Sequence, residues 1–386
     1  MESTLPSPPW GRGGGGEGVC IREWNGYYVT MPKLEENLRF PRLKKTQASI
    51  MSTDTRKRTR RAFLERSITL GGALLAGAAY SRLGSQDGFG ATPSPSRLVI
   101  SRDPNLRSTP TSLDSSRLLN CLDRGMQALY DCDSSLEAWR KVARPGEVLG
   151  LKVNCLAGRG NSTRPELVDA ICERLQQAGI KEIVIWDRLN SDLESARFKI
   201  VERGSGIRCF GNDTLGFEDE LATFGSVGSL VSRTLTQVCD AVINLPVLKD
   251  HGIAGVTIAL KSMFGAIHNP NKYHMNVGNP YVADVFMLPP IRHKVRLHIC
   301  DATTAQYEGG PSFMPHWTWP YNGLIVGHDP VALDHTGWQI IEKKRAEVGM
   351  KSLRDMKREP VYISTAADPQ HGLGTNDPQN IKVVEV

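Results

Sequence analysis

Val148-Leu149-Gly150-Leu151-Lys152-Val153-Asn154, followed eight residues later by Thr163-Arg164-Pro165-Glu166-Leu167-Val168 and then by Glu182-Ile183-Val184-Ile185-Trp186-Asp187, decides the fold. The first and third segments are short apolar runs that end on polar residues, the pattern of strands buried on both faces. The middle segment reads as a helix. Leu167, Val168, Ile171, Leu175 and Ala178 fall at three- and four-residue steps, and Gly179 supplies the stop. Thr163 is predicted to open a capping box by accepting from the Glu166 amide, with Pro165 in the first turn. Strand, helix and strand in this order make a βαβ unit.

Outward from this unit the alternation continues. Residues 118–129 read as a helix and 207–210 as a weak strand. Residues 240–245 read as a strong strand and 255–264 as a helix. Two further strands are expected at 296–300 and 324–326. Asp329-Pro330 opens a helix over 331–344, and 382–384 closes the sheet. The expected fold is α/β: a mostly parallel sheet with helices on both faces, in a single main domain over residues 97–386. Ligands of such sheets sit outside the carboxyl ends of the strands. That rule nominates Lys152, Asn154, Asp187, the segment 244–251, Asp301 and His328-Asp329.

The stretch from Asp240 to His274 is the richest in chemistry. A strand is expected to deliver Lys249, Asp250 and His251 to its end. Gly252 and Gly255 then let the backbone approach a ligand and open a helix, whose first amides together with Lys249 suit a phosphate or carboxylate. The plain alternative is a glycine turn with solvated charges. Lys261 and His268 lie on or just beyond that helix. All 9 histidines fall at or after His251. A metal site from His251, His268 or His274 with Asp187 or Asp301 matches the donor preferences of zinc, iron or manganese. Hydrogen-bonded or surface histidines are the alternative. Asp329 reads as a helix cap with Pro330 at the first helical position. Asp334, one turn in, faces a ligand or serves the helix dipole.

Charge separates the beginning of the chain from the rest. Residues 1–91 carry 14 Lys and Arg against 8 Asp and Glu, whereas the remainder carries 33 of each. The working domain therefore has no global positive field for nucleic acid. Residues 1–50, with Pro6-Ser7-Pro8-Pro9 and a run of glycine from Gly13 to Gly16, lack period and read as a non-native or disordered extension. From Met51 a basic segment precedes a Gly- and Ala-rich apolar stretch at 68–79, too short for a membrane span. Thr59-Arg60-Arg61-Ala62-Phe63-Leu64-Glu65 resembles the twin-arginine leader consensus. Residues 51–91 are accordingly expected to be a cleaved leader recognised by the twin-arginine (Tat) translocation machinery, and 92–96 a linker. The mature chain is then periplasmic or otherwise exported, with no stable membrane span.

Seven of the 8 cysteines lie beyond the leader and none forms C-x-x-C, so no iron-sulfur cluster or zinc ribbon is expected. Cys121 and Cys132 are the pair whose spacing suggests a disulfide test.

Several segments share one pattern: Gly150-Leu151-Lys152-Val153-Asn154, Arg164-Pro165-Glu166-Leu167-Val168, Asp240-Ala241-Val242-Ile243-Asn244-Leu245-Pro246, Leu248-Lys249-Asp250-His251-Gly252, Ala259-Leu260-Lys261-Ser262-Met263-Phe264-Gly265 and Asp329-Pro330-Val331-Ala332-Leu333-Asp334. Together they resemble the bacterial and archaeal family known as domain of unknown function 362, over roughly residues 148–386. The resemblance implies an α/β domain and, in many members, a twin-arginine leader. Other members carry ferredoxin-like cysteine clusters, which this chain lacks. No defined reaction follows from the resemblance.

The sequence supports an exported enzyme acting on a small anionic substrate. In this reading Lys249 and Lys261 hold the anion, with Lys152, Asn154, Gly252 and Asp334 beside it. His251 exchanges the proton, and Asp187 or Asp301 orients it or holds a metal or other cofactor. A non-catalytic periplasmic binding protein using the same pocket is the alternative. A redox-associated protein without its own cluster is a third.

Overall fold

The backbone of the βαβ unit carries its apolar side chains alternately to opposite faces, and that alternation organises the whole sheet. The computed structural model describes residues 95–386. The extension, the leader and most of the 92–96 linker lie outside the described residues.

The strands are β1 (Ser96–Arg102), β2 (Val148–Val153), β3 (Glu182–Asp187), β4 (Ile207–Gly211), β5 (Ala222–Phe224), β6 (Val227–Ser229), β7 (Ala241–Leu245), β8 (Val247–His251), β9 (Gly255–Thr257), β10 (Val295–Gln306), β11 (Thr318–Trp319), β12 (Gly323–Gly327) and β13 (Ile381–Glu385). The helices are α1 (Ser115–Tyr130), α2 (Ser135–Val142), α3 (Pro165–Gln177), α4 (Asn190–Ser195), α5 (Asn212–Leu215), α6 (Ala259–Ser262), α7 (Tyr281–Phe286), α8 (Pro289–Lys294), α9 (Pro330–Glu347) and α10 (Tyr362–Ala367).

The main sheet runs in the order β13-β1-β12-β10-β7-β2-β3-β4. β10, β7, β2, β3 and β4 are mutually parallel. β12 runs antiparallel to both β1 and β10. On β2 and β7, Leu149, Leu151, Val153, Ala241, Ile243 and Leu245 pack under α1, α2 and α3. Val242, Val184 and Trp186 face the opposite layer, where α6, α7, α9 and α10 contribute Leu260, Val282, Leu333 and Ile363. Helices therefore cover both faces, as two-sided apolar strands require. Burying these side chains is the main stabilising term, on the order of 2 kcal/mol for each large aliphatic group.

Local expectations fail where a side chain finds a partner outside its own turn. Thr163 does not cap α3. Its Oγ1 accepts from the Asn154 amide at 2.8 Å and donates to the Leu245 carbonyl at 2.7 Å, tying the end of β2 to the end of β7. Residues 255–264 are not one helix. Gly255, at φ +77, turns the chain into the short β9, which pairs antiparallel with β8, and only Ala259–Ser262 is α-helical. Asp329 does cap α9, accepting from the Val331 and Ala332 amides. Cys121 and Cys132 are both free thiols. The first lies within α1 under β1, where its Sγ donates to the Ser101 carbonyl, and the second lies past the end of the same helix. A separation of 11 residues, mostly helical at about 1.5 Å each, is roughly 15 Å, beyond the reach of a disulfide.

Candidate functional site

β2 has β3 on one side and β7 on the other. The chain steps outward from β2 to β3 and β4, then returns to place β7 on the other flank. That reversal is a topological switch point, where the loops after neighbouring strands diverge and leave a crevice. Lys152 stands beside Trp186 of β3 and Asn244 of β7, one residue from the carboxyl end of β2. A cavity of about 350 Å³ opens above these ends.

The floor is a closed ion pair. Lys152 Nζ donates to Asp187 Oδ1 at 2.7 Å and to the Val153 carbonyl at 2.6 Å. Asp187 Oδ2 accepts the Cys155 amide at 2.7 Å. Gly265 lies on this pair so tightly that a Cβ there would stand 2.8 Å from both Lys152 Nζ and Asp187 Oδ1. Any larger residue would displace the pair.

The walls carry two more buried lysines. β8 forms a separate strand parallel to the distal half of β10, and it holds Lys249 fully buried. Lys249 Nζ donates to Asn154 Oδ1 at 2.9 Å and to the Asn161 carbonyl at 3.3 Å. Burial lowers its pKa to about 8. Lys261, on α6, lies 3.0 Å from His274 Nε2 and 4.4 Å above the Phe264 ring. Burial, reinforced by the charge of Lys249, lowers it to about 7. Among the described residues, neither ammonium has a carboxylate hydrogen-bonded to it.

Both histidines are neutral donor–acceptor elements. His274 Nδ1 is 3.2 Å from the Asn271 carbonyl, which can only accept. Nδ1 therefore carries the proton, and Nε2 presents its lone pair to Lys261. His251 Nδ1 accepts from the Ile253 and Ala254 amides, each at 3.1 Å, which leaves the proton on Nε2. Burial first, and the neighbouring Lys261 next, push the His251 pKa far below the usual histidine range. The two rings stack with centroids 5.2 Å apart.

Lys152, Asn154, Asp187, Lys249, His251, Lys261 and His274 thus line one cavity. Other nominated residues lie elsewhere, among them Asp301, Asp334, Gly252 and His268. β10 does not end near Cys300 as expected but continues to Gln306, so Asp301 sits mid-strand. Its Oδ1 accepts from the Thr303 amide and hydroxyl, and its Oδ2 from the Arg164 amide. Asp334 is buried under α6, accepting the Ala259 amide at 2.6 Å and the Leu260 amide at 3.3 Å. The first amides of that helix are therefore not open to a ligand. Gly252 donates its amide to the Gly310 carbonyl at 2.7 Å. His268 is exposed and packs edge-on against Phe217. His268 does not line the cavity that holds His274, and among the described residues no three His, Cys, Asp or Glu side chains converge as ligands.

Sequence reasoning missed Thr257 and Ser262, which also line the cavity. Their hydroxyls are buried without a protein partner among the described residues. They bracket Ile258-Ala259-Leu260-Lys261, where a helical reading made them unremarkable. Arg188 and Asp192, an ion pair at 3.0 Å, also line the cavity.

The fold and cavity define an α/β protein with a buried, lysine-rich pocket at the switch point of a mostly parallel sheet. Residues 149–339 match the family model described as Domain of unknown function (DUF362), which supports the resemblance read from the motifs. No curated protein matches the chain. Among solved structures, a Thermotoga maritima protein aligns over 61% of this chain and 59% of its own, at 13% identity and a TM-score of 0.36. The lactate racemase apoprotein from Thermoanaerobacterium thermosaccharolyticum aligns over 66% of this chain and 59% of its own, at 11% identity and a TM-score of 0.38. Neither alignment carries a functional argument. No helix among the described residues is long and apolar enough to cross a membrane.

Proposed function

We propose that this cavity binds a small anion and that the chain is an enzyme acting on it. The observation that carries the reading is the pairing of two buried ammonium groups, Lys249 and Lys261, with two hydroxyls, Thr257 and Ser262, around one pocket, where among the described residues no carboxylate bonds the former and no partner the latter. Buried charge and buried hydroxyl are both costly unless a polar partner arrives. An anion with further oxygen atoms satisfies all four.

Lys261 is the residue placed for proton transfer, because a group with a pKa of about 7 exchanges protons most effectively near neutral pH. His274 accepts from it through Nε2. His251, with Nδ1 occupied by two amides, acts as a neutral Nε2–H donor toward the ligand rather than as a base. Asp187 holds Lys152 in place.

The test is calorimetry and thermal stability of the purified protein against small carboxylates and inorganic phosphate, followed by turnover of whichever binds. Binding that disappears in both Lys249→Met and Lys261→Met supports the pocket. Stabilisation that persists in both variants removes it. Binding without turnover selects the non-catalytic reading, which the fully engaged His251 Nδ1 favours.

Export through the twin-arginine route is the second part of the proposal, and it rests on Thr59-Arg60-Arg61-Ala62-Phe63-Leu64 ahead of a short apolar stretch. Replacing Arg60 and Arg61 by Lys is expected to retain the protein in the cytoplasm. Unchanged export of that variant would refute the route.

A further inference from the structure

A second cleft, of about 780 Å³, shares the segment after β2 with the first cavity. Asn154 and Leu156 line the lysine pocket, whereas Ala157, Gly160 and Arg164 line the cleft. Four arginines face it, Arg107, Arg159, Arg164 and Arg197, and among the described residues no Asp or Glu lines it.

Two of the guanidiniums converge, and that of Arg107 also donates to Asn322 Oδ1 and to the Pro110 and Thr303 carbonyls. Arg107 Nη2 and Arg164 Nη2 both donate to Thr304 Oγ1, at 2.6 and 3.1 Å. Arg107 is held below its ordinary pKa by burial and then by the Arg164 charge. Asp301 offsets part of this from behind, where it accepts the Arg164 amide. Glu166 reaches Arg197 only at 4.0 Å. Aromatic rings line the cleft together with the arginines. The Phe313 ring lies on the Gly160 backbone, 2.0 Å from where a Cβ would stand, and Trp319 lines the same cleft.

We infer that this cleft is a second anion site, for a ligand that joins a carboxylate or phosphate to a flat apolar group. Planar guanidiniums bind such anions in two-point fashion, and the rings offer a face for stacking. The lysine pocket, with point charges and hydroxyls, has the opposite character. This inference does not depend on the proposed function.

The test is titration calorimetry of the full chain with phenyl phosphate, benzoate and inorganic phosphate. At least one aromatic anion is expected to bind, with inorganic phosphate tenfold or more weaker. The two aromatic arms identify the acid group preferred. Arg159→Glu combined with Arg197→Glu, both exposed positions, is expected to weaken binding at least tenfold with an unchanged circular dichroism spectrum. Lys249→Met combined with Lys261→Met is expected to leave it within twofold. Equal binding of inorganic phosphate, no binding of either aromatic anion, indifference to the arginine changes, or loss in the lysine variant would each overturn the assignment.

Discussion

Lys261 Nζ lies 3.0 Å from His274 Nε2, and burial lowers the pKa of both partners, that of the lysine to about 7. A ligand carrying negative charge restores the ammonium form of Lys261, and of Lys249 beside it. Anion binding should therefore take up protons. Titrations in buffers of different ionisation enthalpy are expected to show net uptake at pH 8, with affinity rising as pH falls from about 9 to 6. Proton release on binding would contradict the arrangement.

The same two lysines bear on the stability of the free protein. Their folded pKa values, about 7 and about 8, lie below the ordinary 10.5. The unfolded chain therefore binds more protons between those values, and this contribution makes the fold more stable as pH rises toward 10.5. Replacing Lys261 by Met is expected to stabilise the ligand-free protein at pH 7 by about 1–2 kcal/mol while abolishing anion binding. Urea denaturation of the two proteins decides it.

Asp187→Asn should act in the opposite direction. It leaves Lys152, 1% exposed, without its counter-charge. A loss of about 3–5 kcal/mol is expected, since breaking one side of a buried pair strands the other. Adding Lys152→Met should recover part of it, and a double variant no more stable than the single one would argue against the pair as the cause.

At the far end of the chain, His371 is clamped between Asp284, 2.9 Å from Nε2, and Asp368, 2.8 Å from Nδ1. The carboxylates raise its pKa above 6.5 despite burial. Its stabilisation is then fully present below pH 6.5 and fades as pH rises through the raised value, while Asp368, whose pKa is lowered, withdraws its share in strong acid. The stability difference between the wild type and His371→Gln is expected to be larger at pH 5.5 than at pH 9.

Much of the sheet could be read directly from the sequence. β2 and β3 are short, largely apolar runs with a charge at or one residue before the carboxyl end, and those ends bring Lys152 and Asp187 together. The end of the first strand at Leu245 was legible, but the residues after Pro246 were not read as a strand of their own, which they form as β8. Lys249 and His251 reached the pocket by that second strand. Asp301 misled because β10 is twice the length its apolar pattern suggested. Thr163 and Asp334 misled because both serve distant backbone groups, and local spacing carries no record of a partner 82 or 75 positions away.

The carboxyl group of Asp334 occupies the buried first amides of α6, so the main chain contributes nothing to recognition at that point. In the proposed reading, discrimination among small molecules there falls to replaceable side chains, lysine, histidine, threonine and serine among them. A scaffold built this way can change its preferred cargo by point substitution while its skeleton stays fixed, and proteins sharing this sheet need not share a substrate.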